Sequence, residues 1–263
     1  MKSRPLPLVA AAWLLAGVAT AAVPIPAATE KPTIVLVHGA FADASSWNGV
    51  IRILEKDGYT VIAAANPLRS VHGDAQEIAG LLGTMRGPVV LVGHSYGGAV
   101  ISGAANNQTQ VKALVFVSAF APDAGESAAG LSAKFPGSTL GAAIGAPVPL
   151  RPSGNDLYIQ PAKFRAQFAA DVTETQAQLM AAAQRPVTDI ALGEPAGEPA
   201  WKSIPSWFVY GDHDLNIPPQ ALAFMAKRAH SRATVVVKGA SHVVMLSHPA
   251  TVAKLIETAA AAS

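Results

Sequence analysis

The chain has 263 residues, no cysteine, 51% hydrophobic and 14% charged residues, and a formal net charge of +2. The lack of cysteine excludes disulfides, a thiol nucleophile and lipoprotein-type acylation, and the absence of a dense Lys/Arg cluster argues against a nucleic-acid partner. The alanine-rich, apolar composition reads as a globular enzyme rather than a disordered or fibrous chain.

The first predicted element is a targeting segment. Met1-Lys2-Ser3-Arg4 is a basic start, Leu6 to Val18 is apolar, and Ala19-Thr20-Ala21 sets small residues where a signal peptidase reads. The apolar run is nearer the about 7–15 residues of a signal peptide than the about 20 of a bilayer span. Residues 1–22 are therefore expected to be removed on export to the periplasm or medium of a bacterial cell, with an uncleaved anchor as the alternative and no membrane span in the mature chain. The remainder is of ordinary single-domain size.

Six short apolar runs follow, flanked by turn residues: Thr33–Val37, Tyr59–Ala63, Pro88–Val92, Val111–Val117, Ser206–Tyr210 and Ala233–Val237. They are continuous rather than alternating, the pattern of strands buried on both faces. Amphipathic stretches such as Trp47–Asp57 and Gln76–Met85 lie between them. Strand and helix in alternation predict an α/β fold with a mostly parallel sheet of about six strands and helices on both faces. One interval breaks this rhythm. About eighty residues separate the fourth and fifth strands, far beyond the about 2–6 residues of a usual connection. Helical patches at Pro161–Ala170 and Val172–Gln184, with Phe164, Phe168, Leu179 and Met180 as apolar faces, mark this interval as a helical lid. The expected division is a core over 30–122 and 205–261 with a lid insertion over 123–204.

Gly93-His94-Ser95-Tyr96-Gly97 stands directly after the third strand and before a helix pattern starting near Gly97. A G-x-S-x-G segment in that context is a nucleophile elbow, because glycines two residues either side let backbone pass close to a serine lifted above the sheet. A serine hydroxyl needs a base and an orienting acid, which follow this elbow in the order Asp/Glu then His. After the fifth strand comes Gly211-Asp212-His213-Asp214-Leu215-Asn216-Ile217-Pro218, and after the sixth Gly239-Ala240-Ser241-His242. Both lie past strand carboxyl ends, where an open α/β sheet builds its site. His242 is the predicted base and Asp214 the predicted acid, with Asp212 and Asp123 as alternatives. One oxyanion donor is the amide of Tyr96, and the other comes from the loop after the first strand.

These segments, with His38-Gly39-Ala40-Phe41 and Trp47 behind it, resemble the α/β-hydrolase superfamily across the whole mature chain. The resemblance is to the lidded branch of small bacterial esterases, plant methyl-ester esterases and hydroxynitrile lyases. It implies the α/β-hydrolase fold, favours Asp214 over Asp212, and implies the amide of Ala40 as second oxyanion donor, with Phe41 as the fallback. Phe41 is also expected to line the substrate site. The implied activity is hydrolysis of a small to medium hydrophobic carboxylic ester through an acyl-enzyme on Ser95, without cofactor or metal. Hydroxynitrile lyase-like or cofactor-free perhydrolase activity on the same triad is the alternative. Against the lyase, the plant enzymes carry threonine where this chain has Gly39 and lysine where it has Val243. Serine at 95, rather than aspartate, excludes haloalkane dehalogenase and epoxide hydrolase chemistry. His38 and His94 are expected to make structural hydrogen bonds, and His72, His213, His230 and His248 to be loop or surface residues. Arg69 reads as a solvated cation. Apolar Phe135, Leu140, Ile144, Val148 and Leu150 are candidate pocket residues in the lid. Neither the oligomeric state nor the particular ester is written in these motifs.

Overall fold

The computed structural model describes residue 1 and residues 31–262. The targeting segment read at 1–22 therefore lies, but for Met1, outside the described residues. Among them, no helix is long and apolar enough to cross a membrane.

The main sheet has six strands: β1 (Thr33–Val37), β2 (Val61–Ala64), β3 (Val89–His94), β4 (Val111–Val117), β8 (Ser206–Gly211) and β9 (Ala233–Val237). All neighbours pair parallel, in the order β2-β1-β3-β4-β8-β9. This is the α/β-hydrolase fold class the sequence predicts. β1 and β3 are buried through almost their whole length, as continuous Val/Ile/Leu runs require. The same reading fails for β9. It is an edge strand whose residues alternate between half-buried and exposed, and Val236 is 51% exposed, because only one neighbour and one face cover it.

Helices fill both faces. α3 (Tyr96–Ala104) packs on β1, β3 and β4 and carries α2 (Val71–Gly83). The C-terminal helix Pro249–Ala261 packs on β3, β4 and β8 and carries α1 (Asn48–Lys56). Both pairs cover β3 and β4 and so take opposite faces. Between Phe116 of β4 and Phe208 of β8 the rings stack at 4.6 Å, which locks the strands where the chain leaves and re-enters the sheet.

Between β4 and β8 the chain forms five short helices: α4 (Ala128–Lys134), α5 (Leu140–Ala143), α6 (Pro161–Phe168), α7 (Glu174–Ala183) and α8 (Asp189–Gly193). It also forms a small antiparallel sheet of β5 (Val148–Pro149), β6 (Asn155–Leu157) and β7 (Val187–Thr188). Pro161 opens α6, where its missing N–H leaves no bond unmade, and the Thr173 hydroxyl caps α7 by accepting from the Gln176 amide. Phe164 and Phe168 are fully buried, but Leu179 is 67% exposed. Ala177 and Ala181 supply the inward face of α7, which leaves Leu179 turned outward.

Arg69 is not a free surface cation. Its guanidinium meets Asp156 of β6 at 2.5 Å and the Pro186 carbonyl at 2.7 Å, while its own carbonyl accepts from the Thr188 hydroxyl at 2.7 Å. The loop after β2 thereby straps the inserted segment to the core. The pairing spans 87 residues of sequence, so no local pattern announces it.

Candidate active site

The carboxyl ends of β1, β3, β8 and β9 lie along one edge of the parallel sheet, and each is followed by one loop of the candidate site. Ser95 follows β3 with φ 52° and ψ −123°, a left-handed conformation that a non-glycine residue holds at a cost of about 1–3 kcal/mol. Its backbone is pinned on three sides: its amide donates to Val117 O at 3.2 Å, and its carbonyl accepts from Gly98 N at 3.0 Å and Phe120 N at 3.1 Å. The flanking glycines are steric necessities, since a Cβ on Gly93 would lie 2.6 Å from the Gly97 carbonyl oxygen. Helix α3 begins at Tyr96, one residue earlier than the sequence pattern indicates.

His242 follows β9 and is fully buried. Its Nδ1 lies 2.7 Å from Asp214 Oδ2. Asp214 is 2% exposed, and its other oxygen accepts from the amides of Asn216 at 2.8 Å and Ile217 at 2.9 Å. A carboxylate accepts, so Nδ1 carries the proton and Nε2 presents its lone pair. That Nε2 is buried and has no hydrogen-bond partner, so the Ser95 hydroxyl does not touch it in this state. The elbow and the histidine loop are nevertheless joined. His94 donates from Nε2 to the His242 carbonyl at 3.2 Å, and the two rings lie 4.8 Å apart. Phe168 of α6 closes the other side of the His242 ring at 5.2 Å.

The structure separates the candidate acids. Asp212 accepts from the Gly239 amide at 2.6 Å, and Asp123 pairs with Lys202 at 2.6 Å, with Lys202 holding its carboxyl below the usual aspartate range. Both are occupied with turn and surface structure, and only Asp214 reaches the His242 ring.

The amides of Ala40 and Tyr96 have no hydrogen-bond partner among the described residues, whereas that of Phe41 donates to the Arg185 carbonyl at 3.0 Å. Phe41 is therefore not available as the fallback oxyanion donor. Ala40, Phe41, Ser95 and Tyr96 all line one cavity of about 250 Å³. Leu140, Ile144, Leu157, Leu192 and Ile217 complete its apolar wall. Of the remaining lid residues anticipated there, Phe135 packs on Phe224 at 5.3 Å, Val148 is 48% exposed, and Leu150 is not among the lining residues.

The other histidines divide as their environments dictate. His38 accepts the Asn66 amide on Nε2 at 3.1 Å and donates from Nδ1 to the Gly39 carbonyl at 3.0 Å. Burial pushes the pKa of His38 down and that of His94 well down. Protonation would set an N–H against the Asn66 amide in the first case and bury an unpaired charge on Nδ1 in the second. His72 lies on α2 with its side chain 56% exposed, 3.0 Å from Glu194, and His213 and His230 are exposed. His248 is part-buried with Nδ1 2.9 Å from the Ser247 hydroxyl. Among the described residues no group of three or more His, Asp or Glu side chains is placed to hold a metal.

The two neutral histidines carry a pH dependence with a definite sign. Their folded pKa values lie below the unfolded value near 6.5, so below that pH the unfolded chain binds more protons and stability falls as pH falls. Each contributes up to about 1.4 kcal/mol per pH unit in that range. The urea midpoint is expected to drop between pH 7 and pH 5, and a flat midpoint would contradict neutral burial of these rings.

One buried carboxylate was not legible as such in the sequence. Asp74 on α2 is 1% exposed, accepts the Tyr96 hydroxyl at 2.8 Å and the Arg69 amide at 3.2 Å, and has its pKa raised by burial despite these bonds. It ties the residue after Ser95 to the Arg69 strap. In the sequence it stands just before the amphipathic stretch read at Gln76–Met85, and only the structure extends that helix back to place it in the first turn.

This strand order, this elbow and this set of loops agree with the comparison with known proteins, in which a model of the alpha/beta hydrolase family matches residues 34–255. The chain belongs to this family. An alpha/beta hydrolase of Aspergillus novofumigatus is 27% identical over 88% of this chain and 97% of its own length. A carbendazim hydrolyzing esterase of a Nocardioides species is 32% identical over a shorter stretch, 35% of this chain and 44% of that protein. Among solved structures, polyneuridine aldehyde esterase superposes with a TM-score of 0.74 at 19% identity, over 87% of this chain and 99% of that one. The chain is thus an alpha/beta hydrolase with esterases among its relatives.

Proposed function

We propose that this hydrolase cleaves carboxylic esters of small to medium hydrophobic substrates through an acyl-enzyme on Ser95. The observation that carries the reading is His242, held by Asp214 with its Nε2 bare and in ring contact with the His94 that precedes a strained serine, together with two unpartnered amides. In the proposed cycle the substrate brings Ser95 Oγ into contact with Nε2, a pairing that is often loose without substrate. Oγ attacks the ester carbonyl carbon as its proton passes to Nε2, and the carbonyl oxygen takes the negative charge between the Ala40 and Tyr96 amides. The tetrahedral species collapses, Nε2–H protonates the departing alkoxide, and the acyl group stays on Ser95. Water then attacks the acyl carbon, giving its proton to Nε2, and release of the carboxylic acid returns that proton to Ser95.

The structure also bears on the lyase alternative. A Cβ on Gly39 would lie 2.6 Å from Ser95 Cβ and 2.7 Å from the His94 carbonyl oxygen, so threonine does not fit at 39 in this backbone.

Cavity size bounds the substrate. An apolar cavity of about 150 Å³ accommodates benzene, so the 250 Å³ here takes a single ring with a few further carbons. In a graded panel of p-nitrophenyl esters, rates are expected to rise with apolar size and then fall once the cavity is full. Ala128 lines the cavity from α4 and is 3% exposed. Ala128→Leu should lower kcat/KM for the largest accepted ester by about tenfold or more while sparing the acetate. An unaltered size profile would place the substrate elsewhere. Rapid labelling of Ser95 by a fluorophosphonate tests the nucleophile itself, and its absence would defeat the acyl-enzyme reading.

A further inference from the structure

Asn216 stands two residues after Asp214, and its backbone amide supports that carboxylate. Its side chain does something separate. The residue is 3% exposed and lines the cavity that also holds Ser95, Ala40 and Tyr96. A chain of buried and part-buried hydrogen bonds fixes which end of its carboxamide faces which way. Gln167 on α6 is 7% exposed, and its Nε2 donates to the Leu215 carbonyl at 2.9 Å and to Asn216 Oδ1 at 2.7 Å. Its Oε1 accepts the Thr139 hydroxyl at 2.8 Å.

A backbone carbonyl accepts only, so the end of Gln167 that meets Leu215 is the nitrogen. Asn216 must therefore answer that nitrogen with its oxygen. Its Nδ2 is left with two N–H donors and no hydrogen-bond partner among the described residues, and it is not among the fully buried unsatisfied atoms. A carboxamide with one end locked and the other unpartnered, in the wall of an apolar cavity, is a fixed donor waiting for an acceptor. Of the other polar lining groups, Ser95 is the proposed nucleophile, the Tyr96 hydroxyl is given to Asp74, and Ser132 and Ser138 are part-buried hydroxyls, which can donate or accept and impose no such direction.

We infer that Asn216 Nδ2 is a substrate-binding donor, and that the group filling this cavity carries a hydrogen-bond acceptor, a carbonyl or ether oxygen, on an otherwise apolar frame. The inference rests on the reading above only in taking the cavity as the substrate site. A ligand without the acceptor leaves the donor desolvated and unpaired, and a site built to hydrogen-bond a ligand discriminates against the analogue that lacks the bond.

Shape-matched pairs without any ester test this by titration calorimetry on the full protein: benzyl methyl ether against propylbenzene, and acetophenone against α-methylstyrene. In each pair an acceptor oxygen replaces a carbon group of similar size. The measured quantity is the affinity ratio within a pair, compared between wild type and variants, so differences in hydrophobicity cancel. Asn216→Leu is expected to lower the preference for the acceptor ligand in at least one pair by about tenfold. Asn216→Asp should do the same while keeping an oxygen for Gln167, which guards against a result caused by a collapsed loop. Ratios unchanged in both pairs and both variants, or no binding of any of the four ligands to wild type, would overturn the inference. Because none of the ligands can acylate Ser95, a failure of the esterase reading shows separately, as an unlabelled serine with the ligand preference intact.

Discussion

Ser95→Ala is expected to reduce turnover of a short p-nitrophenyl ester by about 10⁶-fold, because no other group can take up the acyl chain once the hydroxyl is gone. The fold should survive. Ser95 is held through its backbone by Val117, Gly98 and Phe120, and among the described residues its side chain has no hydrogen-bond partner. The substitution removes one oxygen and keeps the Cβ at φ 52°, so no large void opens. The measurement is kcat on purified variant and wild type, with thermal unfolding of both as the control. Retention of more than about a hundredth of the activity at an unchanged melting temperature would show that hydrolysis does not pass through this oxygen.

Asp214→Asn is the second large effect, and its mechanism differs. Asparagine can still accept the Asn216 and Ile217 amides with its oxygen, which keeps the turn after β8. Its amide nitrogen then faces His242 Nδ1, and two donors cannot meet, so the imidazole is forced to carry its proton on Nε2. The base is lost while the geometry stays, and a fall of about 10⁴ in kcat follows. Asp212→Asn and Asp123→Asn supply the comparison. One accepts a backbone amide and the other an exposed lysine, so each should leave kcat within a few-fold of wild type. If Asp123→Asn is the variant that loses activity, the acid has been assigned to the wrong strand.

Together these variants separate two contributions that the site combines. In the proposed cycle Ser95 Oγ is the atom that bonds to carbon, while Asp214 acts only through the tautomer of His242. Asp74 and Arg69 stand one step further out, holding Tyr96 and the inserted segment against the elbow. Their effects should appear first in stability, since neither is among the residues lining the cavity.

The parts of this molecule that sequence reading recovered are those whose cause is local. A run such as Val89–Val92 followed by Gly93-His94-Ser95-Tyr96-Gly97 declares a strand, a tight turn and a helix, because steric demands over five residues leave few alternatives. The order of serine, acid and histidine is readable for a related reason: each lies just past a strand whose apolar run is visible. The edge position of β9, by contrast, depends on what fails to pair beside it, and the burial of Asp74 depends on a tyrosine 22 residues away.

The assignments that decide the chemistry belong to this second kind. Three aspartates were open as partners for His242, and only the packing of loops 28 residues apart selected Asp214. Two residues were open as the second oxyanion donor, and Arg185, brought over from the inserted segment, removed Phe41 by taking its amide. Asn216 shows the point most plainly: its type was in view beside Asp214, but the direction of its carboxamide is set by Gln167, 49 residues earlier in the chain. A backbone turn is dictated by neighbours along the chain, whereas a hydrogen-bond direction is dictated by neighbours in space, and only the folded packing brings those together.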